Sequence, residues 1–508
     1  MEQPLGGLRT RADSRLKATA VGPLSPFGSF VDVELSDGDA VAEIIASYRR
    51  GLPTHAVPAS DVYTSIVGRR LRMSDSPWSA TQTQGRPAAN ADACADMLFY
   101  AALPTNPAWS LLADVVRVPD AVTPGRPHTA LSSGDPVADL YETIEAAVAR
   151  SIPADERTGV LVTGGLDSAV VAALVAAHQQ RPPVLVAVRG GLSTSRECRL
   201  QDQLAHELGA ELVLVEQIPP FTLEPLLSLN ARSDLPAGGA FTHVWDAAVT
   251  AATRAGVKVL FTGEGGNDLF AIDPASGWDQ LASGSWRAAI GTWGRCRTPG
   301  RRRLPRPPTA SDLLTEINYA HPGGSQVRTW HSGYARRLPA ARRRRTRQLL
   351  TLRRSTRSFT RAVTHVSTER LDLQEAAGRN RRVVTAAPLA AHTVADAAAA
   401  VPPGLRNPLQ CGVQDKHLLR LLGRQYLSTA LTETRKLGRP DQLAVLLADG
   451  FDPAEIARIT TGAEWIGVHV DGDFCRADRL PVETGLAWTR TLALSTWAQA
   501  ALDTGLLR

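Results

Sequence analysis

The chain has 508 residues, 44% hydrophobic and 21% charged, with a net charge of +6. That balance belongs to a soluble globular protein and excludes a disordered or fibrous one. The length exceeds what one hydrophobic core serves, so two or three domains are expected. No run reaches the length of a membrane span, and the opening "MEQPLGGLRTRADSR" has no signal-peptide core, so a cytoplasmic, non-membrane protein is expected.

Residues 1–125 alternate short apolar runs with turn clusters such as "MSDSPWSATQTQGRPAAN" (73–90), the pattern of a small α+β or β-rich domain. "DPVADLYETIEAAVARSI" (135–152) then predicts an amphipathic helix leading into a second domain. Residues 157–275 alternate strands ("GVLVT", "PVLVAVRG", "AELVLVEQ", "VKVLFTGEG") with helices at 167–180, 196–208 and 242–255. That rhythm implies an α/β unit on an open parallel sheet, with its ligand at the carboxyl ends of the strands. Residues 276–508 are helix-rich, with basic stretches "RCRTPGRRRLPRPP" (295–308) and "ARRRRTRQLLTLRRSTRSFTR" (341–361) that read as linkers. Such runs are either solvated segments or a surface for an acidic peptide, carrier protein or nucleic acid; without interleaved aromatics they argue against nucleic acid. The five cysteines (Cys94, Cys198, Cys296, Cys411, Cys475) have neither metal-ligand nor disulfide-framework spacing, in keeping with a reducing compartment.

Two glycine clusters carry the chemistry. In "GVLVTGGLDSAVVAALVAAHQQ" (159–180) an apolar strand runs into Thr163-Gly164-Gly165 and then an Ala/Val/Leu-rich helix. Glycines at such a turn let the backbone approach a ligand, and the open amides of the next helix favour an anion such as phosphate. Thr163 and Ser168 add hydroxyls, and Asp167 suits a site that also holds Mg²⁺. The Walker A lysine is absent. An ordinary strand-to-helix turn capped by Asp167 has the same local spacing. A second strand, however, ends alike in "TGEGGNDLF" (262–270), with Glu264 and Asp268 among Gly263, Gly265 and Gly266. Two such turns on one sheet are placed to face each other across a nucleotide.

At these residues the chain resembles the asparagine-synthetase-like ATP pyrophosphatases. "TGGLDS" (163–168) is similar to their pyrophosphate loop, "TGEGGNDLF" to their second glycine loop and "RECRLQDQLAHELGAEL" (196–212) to the helix between. "DKHLLRLLGRQYLSTALTETRKLGRP" (415–440) resembles their Lys-x-x-Leu-Arg helix and the Arg-x-Lys segment after it. The resemblance covers roughly 130–445 and implies a parallel-sheet ATP-pyrophosphatase domain with a helical C-terminal part. It divides the chain into a small degenerate glutaminase-like (Ntn-type) α+β domain at 1–125 and a synthetase-like domain at 130–508, with the ATP-binding core at 157–275 and the helical substrate-binding part at 276–508. It also implies ATP and Mg²⁺ as cofactors and an acyl-adenylate that an amine attacks to give an amide, AMP and pyrophosphate. Thr163, Gly164, Gly165, Leu166, Asp167 and Ser168 would then hold pyrophosphate, and Val188, Thr262, Gly263 and Glu264 would line the nucleotide. Asp167 and Asp268 would bind the metal, while Lys416 and Lys436 would act at the reaction centre.

Departures from the family pattern narrow the substrate. Glu2 stands where glutamine-hydrolysing members carry a cysteine, so the amine is expected from the substrate itself. Asn267 stands where the family places a metal-binding aspartate, and the segment "RRVVTAAPLAAH" (381–392) lacks the family's acidic residues, so no dedicated base is visible. By its short N-terminal domain without that cysteine and its "GEGGNDLF" loop (263–270), the chain looks most like lasso peptide cyclases, the macrolactam synthetases that join a precursor peptide's N-terminal amine to an Asp or Glu side chain. A leader-binding protein and a leader peptidase are the further partners this implies. β-Lactam synthetases share the internal amine, and a tRNA-modifying enzyme or a non-catalytic homologue stays open.

Overall fold

The structure, a computed structural model, describes residues 18–21, 30–34, 62–67, 70–74, 80, 87–100, 109–118, 134–153, 156–189, 193–216, 222–231, 236, 242–271, 274–295, 332–334, 336–356, 383–406, 415–433, 451–470, 474 and 482–504. Its N-terminal part is an antiparallel sheet of β1 (Ala18–Val21), β2 (Phe30–Glu34), β3 (Val62–Val67), β4 (Arg70–Ser74) and β5 (Val116–Val118), in the order β1-β2-β4-β3-β5. The register of β2 against β4 sets Asp32 opposite Arg72, which grips both carboxylate oxygens at 2.7 and 2.8 Å. Helix α1 (Ala91–Tyr100) follows β4 in the chain, and Ala93–Ala95, Met97 and Leu98 are buried in the core beside it.

The second sheet is parallel throughout: β6 (Thr158–Val162), β7 (Val184–Val188), β8 (Glu211–Val215), β9 (Val259–Phe261) and β10 (Val384–Ala386), ordered β10-β9-β6-β7-β8. Every residue of β6 and β7 is buried, as continuous apolar strands covered on both faces must be. The two-residue period sorts them. Val160, Val162, Leu185 and Ala187 join the core under α2 (Pro136–Ser151) and α3 (Leu166–His178). Leu161, Val184, Val186 and Val188 join the opposite core. That side is covered by α6 (Thr242–Arg254), whereas α4 (Ser195–Leu208) packs Leu200, Leu204 and Ala205 into the first core and α5 (Leu223–Asn230) joins the core around α1.

Helix boundaries follow local chemistry. Asp135 caps α2 by accepting from Val137 N at 2.9 Å, with Pro136 at the first helical position. A reciprocal capping box, Thr194 with Glu197, starts α4, and Gly209 ends it at φ 59°. The expected elements at 135–152, 167–180, 196–208 and 242–255 are therefore present within a residue or two. The strand expected over 257–265 is shorter: β9 stops at Phe261, and residues 266–270 form a short helix, α7 (Gly266–Phe270), followed by α8 (Pro274–Ala282) and α9 (Trp286–Arg295).

The stretch at 341–361 departs from its expectation. It is no linker up to Thr356: α10 (Arg337–Thr356) packs on α1, and Arg344 donates to Asp96 at 2.7 Å while its guanidinium lies 5.2 Å from the Trp109 ring centre. Leu338, Ala341 and Leu349 on the same helix are buried, and Arg345 is fully buried. A helix with three inward apolar positions buries its arginines' stems and pairs their heads, which a composition count does not reveal. The other basic run lies, beyond Arg295, outside the described residues.

The core around α1 continues into the C-terminal helices α13 (Pro453–Arg458), α14 (Thr460–Trp465) and α15 (Val482–Asp503), where Trp488 and Trp497 are fully buried. Between α10 and these lie α11 (His392–Ala400) and α12 (His417–Gly423), which belong to the core of the parallel sheet. Among the described residues no helix is long and apolar enough to cross a membrane.

Candidate active site

In the order β10-β9-β6-β7-β8 the connections leave β6 in one direction and return through β9 on its other side. The crevice beyond the carboxyl ends of β6 and β9 is thus the topological switch point, where open α/β sheets bind ligands. Both glycine clusters sit there.

The first loop, Thr163-Gly164-Gly165, joins β6 to α3. Gly164 has φ +76°, and a Cβ on it would lie 2.8 Å from the backbone oxygen of Glu197, so the loop rests directly on the start of α4. Gly165 caps α3 without any side-chain hydrogen bond, which leaves the first-turn amides facing the crevice. Ser168, buried in that turn, accepts from Thr163 N at 3.4 Å and donates to Gly165 O at 3.2 Å. Thr163 and Gly165 are exposed, whereas Leu166 is buried in the core below.

The second loop is pressed against the first. Thr262 N donates to Ala386 O at 2.8 Å, which carries the chain off β9 alongside β10. A Cβ on Gly263 would stand 2.7 Å from Ser168 N, and one on Gly266 only 2.4 Å from the Asp167 carboxyl carbon. These glycines are required because the Asp167 side chain lies where their own would be. Gly265, at φ +87°, backs onto the Pro388–Ala390 turn, with the Ala390 nitrogen 2.6 Å from its virtual Cβ. Glu264 and Asp268 are half-buried on this loop, Asn267 is exposed, and Thr262 is buried.

Asp167 is the meeting point. Its Oδ2 accepts a hydrogen bond from the ammonium of Lys416, in an ion pair whose side chains are 15% and 8% exposed. Its Oδ1 is buried with no hydrogen-bond partner. A buried carboxylate oxygen left without a donor is costly, and a hard cation or a ligand donor would satisfy it. The residues present therefore fit a divalent cation at Asp167. Among the described residues no group of three His, Cys, Asp or Glu side chains forms a metal cage, so a cation here would take its remaining oxygens from the ligand and water.

Lys416 reaches Asp167 from the residue before α12, with φ 61°. Arg420, one turn on, holds this geometry: its Nε donates to Asp415 O at 2.6 Å and its Nη1 to Thr432 O. Burial pushes the Arg420 pKa below its ordinary value, against the opposing charges of Glu433, Asp415 and Asp167. Sequence reasoning missed Arg420, although it is the arginine of the "KHLLR" stretch. It also missed Arg189, directly after β7, whose Nε donates to the fully buried Gln201 at 3.0 Å. Gln201 in turn reaches Val162 O at 3.4 Å, the last residue before the first loop.

Of the expected site residues, the structure gathers Thr163, Gly164, Gly165, Asp167, Ser168, Gly263 and Lys416 at one spot. Thr262 and Glu264 lie on the second loop, and Val188 ends β7, the next strand. Lys436 lies outside the described residues.

The family described as asparagine synthase matches residues 139–458 of the 508, which takes in both glycine loops and Lys416 but not the antiparallel sheet or α15. No curated protein matches the chain.

Proposed function

The chain belongs to the asparagine synthase family, and from that premise we propose that its ATP-dependent amide-bond formation is the cyclisation of a precursor peptide. In this reading a side-chain carboxylate of the peptide attacks the α-phosphorus of ATP, releasing pyrophosphate and forming an acyl-adenylate. The peptide's own N-terminal amine then displaces AMP, closing a macrolactam ring in the cytoplasm. The observation that carries the nucleotide site is the contact of two glycine loops around one partly satisfied carboxylate, Asp167, at the sheet's switch point.

Each group has work suited to its chemistry. The open amides of α3 and the Thr163 and Ser168 hydroxyls bind pyrophosphate oxygens. Asp167, with Asp268 as second candidate, holds magnesium, which when bound neutralises charge on the phosphates. Gly263 and its neighbours Thr262 and Glu264, with Val188 across the sheet, form the nucleotide wall. Lys416 and Lys436 supply positive charge where the phosphate and the tetrahedral oxyanion develop negative charge.

The test is pyrophosphate exchange into ATP in the presence of peptides bearing an internal Asp or Glu, followed by mass spectrometry for loss of water from the peptide. Exchange with a small amino-acid carboxylate alone would move the assignment to a β-lactam-synthetase-like ligase, and no exchange with any carboxylate would leave a non-catalytic homologue. In the same assay Asp167→Asn is expected to abolish pyrophosphate release at saturating Mg²⁺. Lys436→Met is expected to keep ATP binding and lose product formation by about 10²–10³, the cost of removing an oxyanion donor. Unchanged product from a folded Lys436→Met protein would return that lysine to the surface.

A further inference from the structure

Arginine outnumbers lysine heavily in this chain: of 56 basic residues only Lys17, Lys258, Lys416 and Lys436 are lysines. Lysine is a compact point charge on a flexible stem, whereas arginine is a rigid fork, so a lysine suits a cation that has to move between partners. Lys416 has a further peculiarity. Among the described residues it is the one non-glycine with positive φ, at 61°. A long side chain is seldom found in that region, and its backbone energy is supplied by the surrounding structure. Arg420 clamps the carbonyl of Asp415, next to the turn, and that of Thr432, in the short helix Thr429–Thr432 after α12. What the turn achieves is to deliver a buried ammonium onto Oδ2 of Asp167, while Oδ1 of the same carboxylate stays buried and unsatisfied.

We propose that the Asp167–Lys416 ion pair is exchangeable: the ammonium stands in for a divalent cation in the nucleotide-free protein, and moves to the polyphosphate when Mg²⁺ and ATP enter together. This rests on the reading of the two loops as a nucleotide site. A buried carboxylate without any counter-charge is strongly unfavourable, so the lysine supplies the counter-charge and holds Asp167 in place before the ligand arrives. Mg²⁺ alone would have to expel the ammonium from Asp167 with no anion to receive it. Mg²⁺ with a polyphosphate brings both a stronger cation for the carboxylate and a new anion for the lysine. Metal and nucleotide therefore bind cooperatively, each weakly by itself.

The small number of lysines makes the exchange observable. Full-length protein labelled with [¹³Cε]lysine has four lysine signals to follow, and that of Lys416 is identified by its loss in Lys416→Gly. The probes are Mg²⁺ alone and Mg²⁺ with α,β-methylene-ATP, which cannot release pyrophosphate. The Lys416 signal is expected to stay in place with Mg²⁺ alone and to shift with Mg²⁺ and the analogue. Asp167→Asn is expected to displace the signal in the nucleotide-free protein but leave its position in the complex equal to the parent's, because the partner there is phosphate. Displacement of the same size in both states would overturn the exchange.

Thermal unfolding gives an independent reading that does not need Asp167→Asn to bind the analogue. Lys416→Gly relieves the left-handed backbone and frees Asp167, so Mg²⁺ alone is expected to raise its unfolding temperature and not the parent's. An equal response of both proteins to Mg²⁺ would overturn the proposal. Absence of any response in the folded parent to Mg²⁺ with the analogue would instead overturn the nucleotide-site reading, and the exchange with it.

Discussion

At the scale of single residues, two glycines with positive φ separate conformational strain from steric contact. Gly209 (φ +59°) ends α4 with nothing within 4 Å of a virtual Cβ, whereas Gly265 (φ +87°) faces the Ala390 backbone at 2.6 Å. Gly209→Ala is therefore expected to cost only the left-handed backbone penalty, about 1–2 kcal/mol. Gly265→Ala carries a comparable penalty and a backbone clash that cannot relax by rotating a side chain, so it costs more and shifts the second loop against Asp167. Urea unfolding of the two variants checks the ranking, and a Gly265→Ala protein as stable as Gly209→Ala would refute it. Cys94 gives a pH prediction. It is fully buried, and burial pushes its thiol up to about 12 against the lowering effect of the hydrogen bond with Tyr334. The native thiol thus stays protonated where the unfolded one ionises. Above the unfolded pKa of 9.0 the native state holds more protons, so this group makes stability fall as pH rises from about 9 towards 12. Iodoacetamide at pH 8 is expected to leave Cys94 unmodified in folded protein and to label it after denaturation.

At the scale of elements, α10 shows that arginines of one run do different jobs. Arg344 donates to Asp96, whose side chain is fully buried, and stacks on Trp109; Arg342, Arg343 and Arg347 are exposed. Arg344→Ser is expected to destabilise the protein by about 1–3 kcal/mol, because it strips a charge-assisted partner from a buried carboxylate. Arg343→Ser and Arg347→Ser are expected to stay within about 0.5 kcal/mol of the parent. Chemical denaturation decides between this and a purely peptide-binding role for the run: equal, small effects at all three positions would return Arg344 to the surface set. Composition could count these arginines, but the partner of Arg344 lies 248 residues away on α1.

At the scale of the whole molecule, the chain has two large cores whose membership ignores chain order. One holds the parallel sheet with α2, α3, α11 and α12; the other joins α1 and residues 109–115 to α5, α10 and the C-terminal helices. Helix α15 contributes Trp488, Leu492, Leu494 and Trp497 to the second, and Phe474 and Phe451 stack on Trp488 at 5.4 and 5.3 Å. Loss of a single buried tryptophan costs about 3–5 kcal/mol, a large part of a typical folding free energy. Deletion of residues 482–508 removes two of them and is expected to abolish folding of the second core, seen as lost near-ultraviolet dichroism and insolubility. A folded, soluble truncation would show that α15 is an ornament on this core rather than part of it.

Much of the candidate site was legible from local sequence. The strand-to-helix switch at 159–168, the capping of α2 and α4, and the paired glycine clusters depend on residues within a few positions of one another, and local sterics and hydrogen bonding dictate them. Continuous apolar strands likewise require covering on both faces, which sets the α/β class and sends ligands to the carboxyl edge. Other features depended on distant partners. The pairing of Lys416 with Asp167 spans 249 residues, and its left-handed turn follows from Arg420 bridging carbonyls rather than from any preference of lysine. The run at 341–356 carried too little apolar pattern to announce a packed helix, since its stability comes from α1 and Trp109. Local order is written in neighbouring residues because short-range sterics act through the chain; charge pairing and burial act through space, and only the tertiary structure decided those.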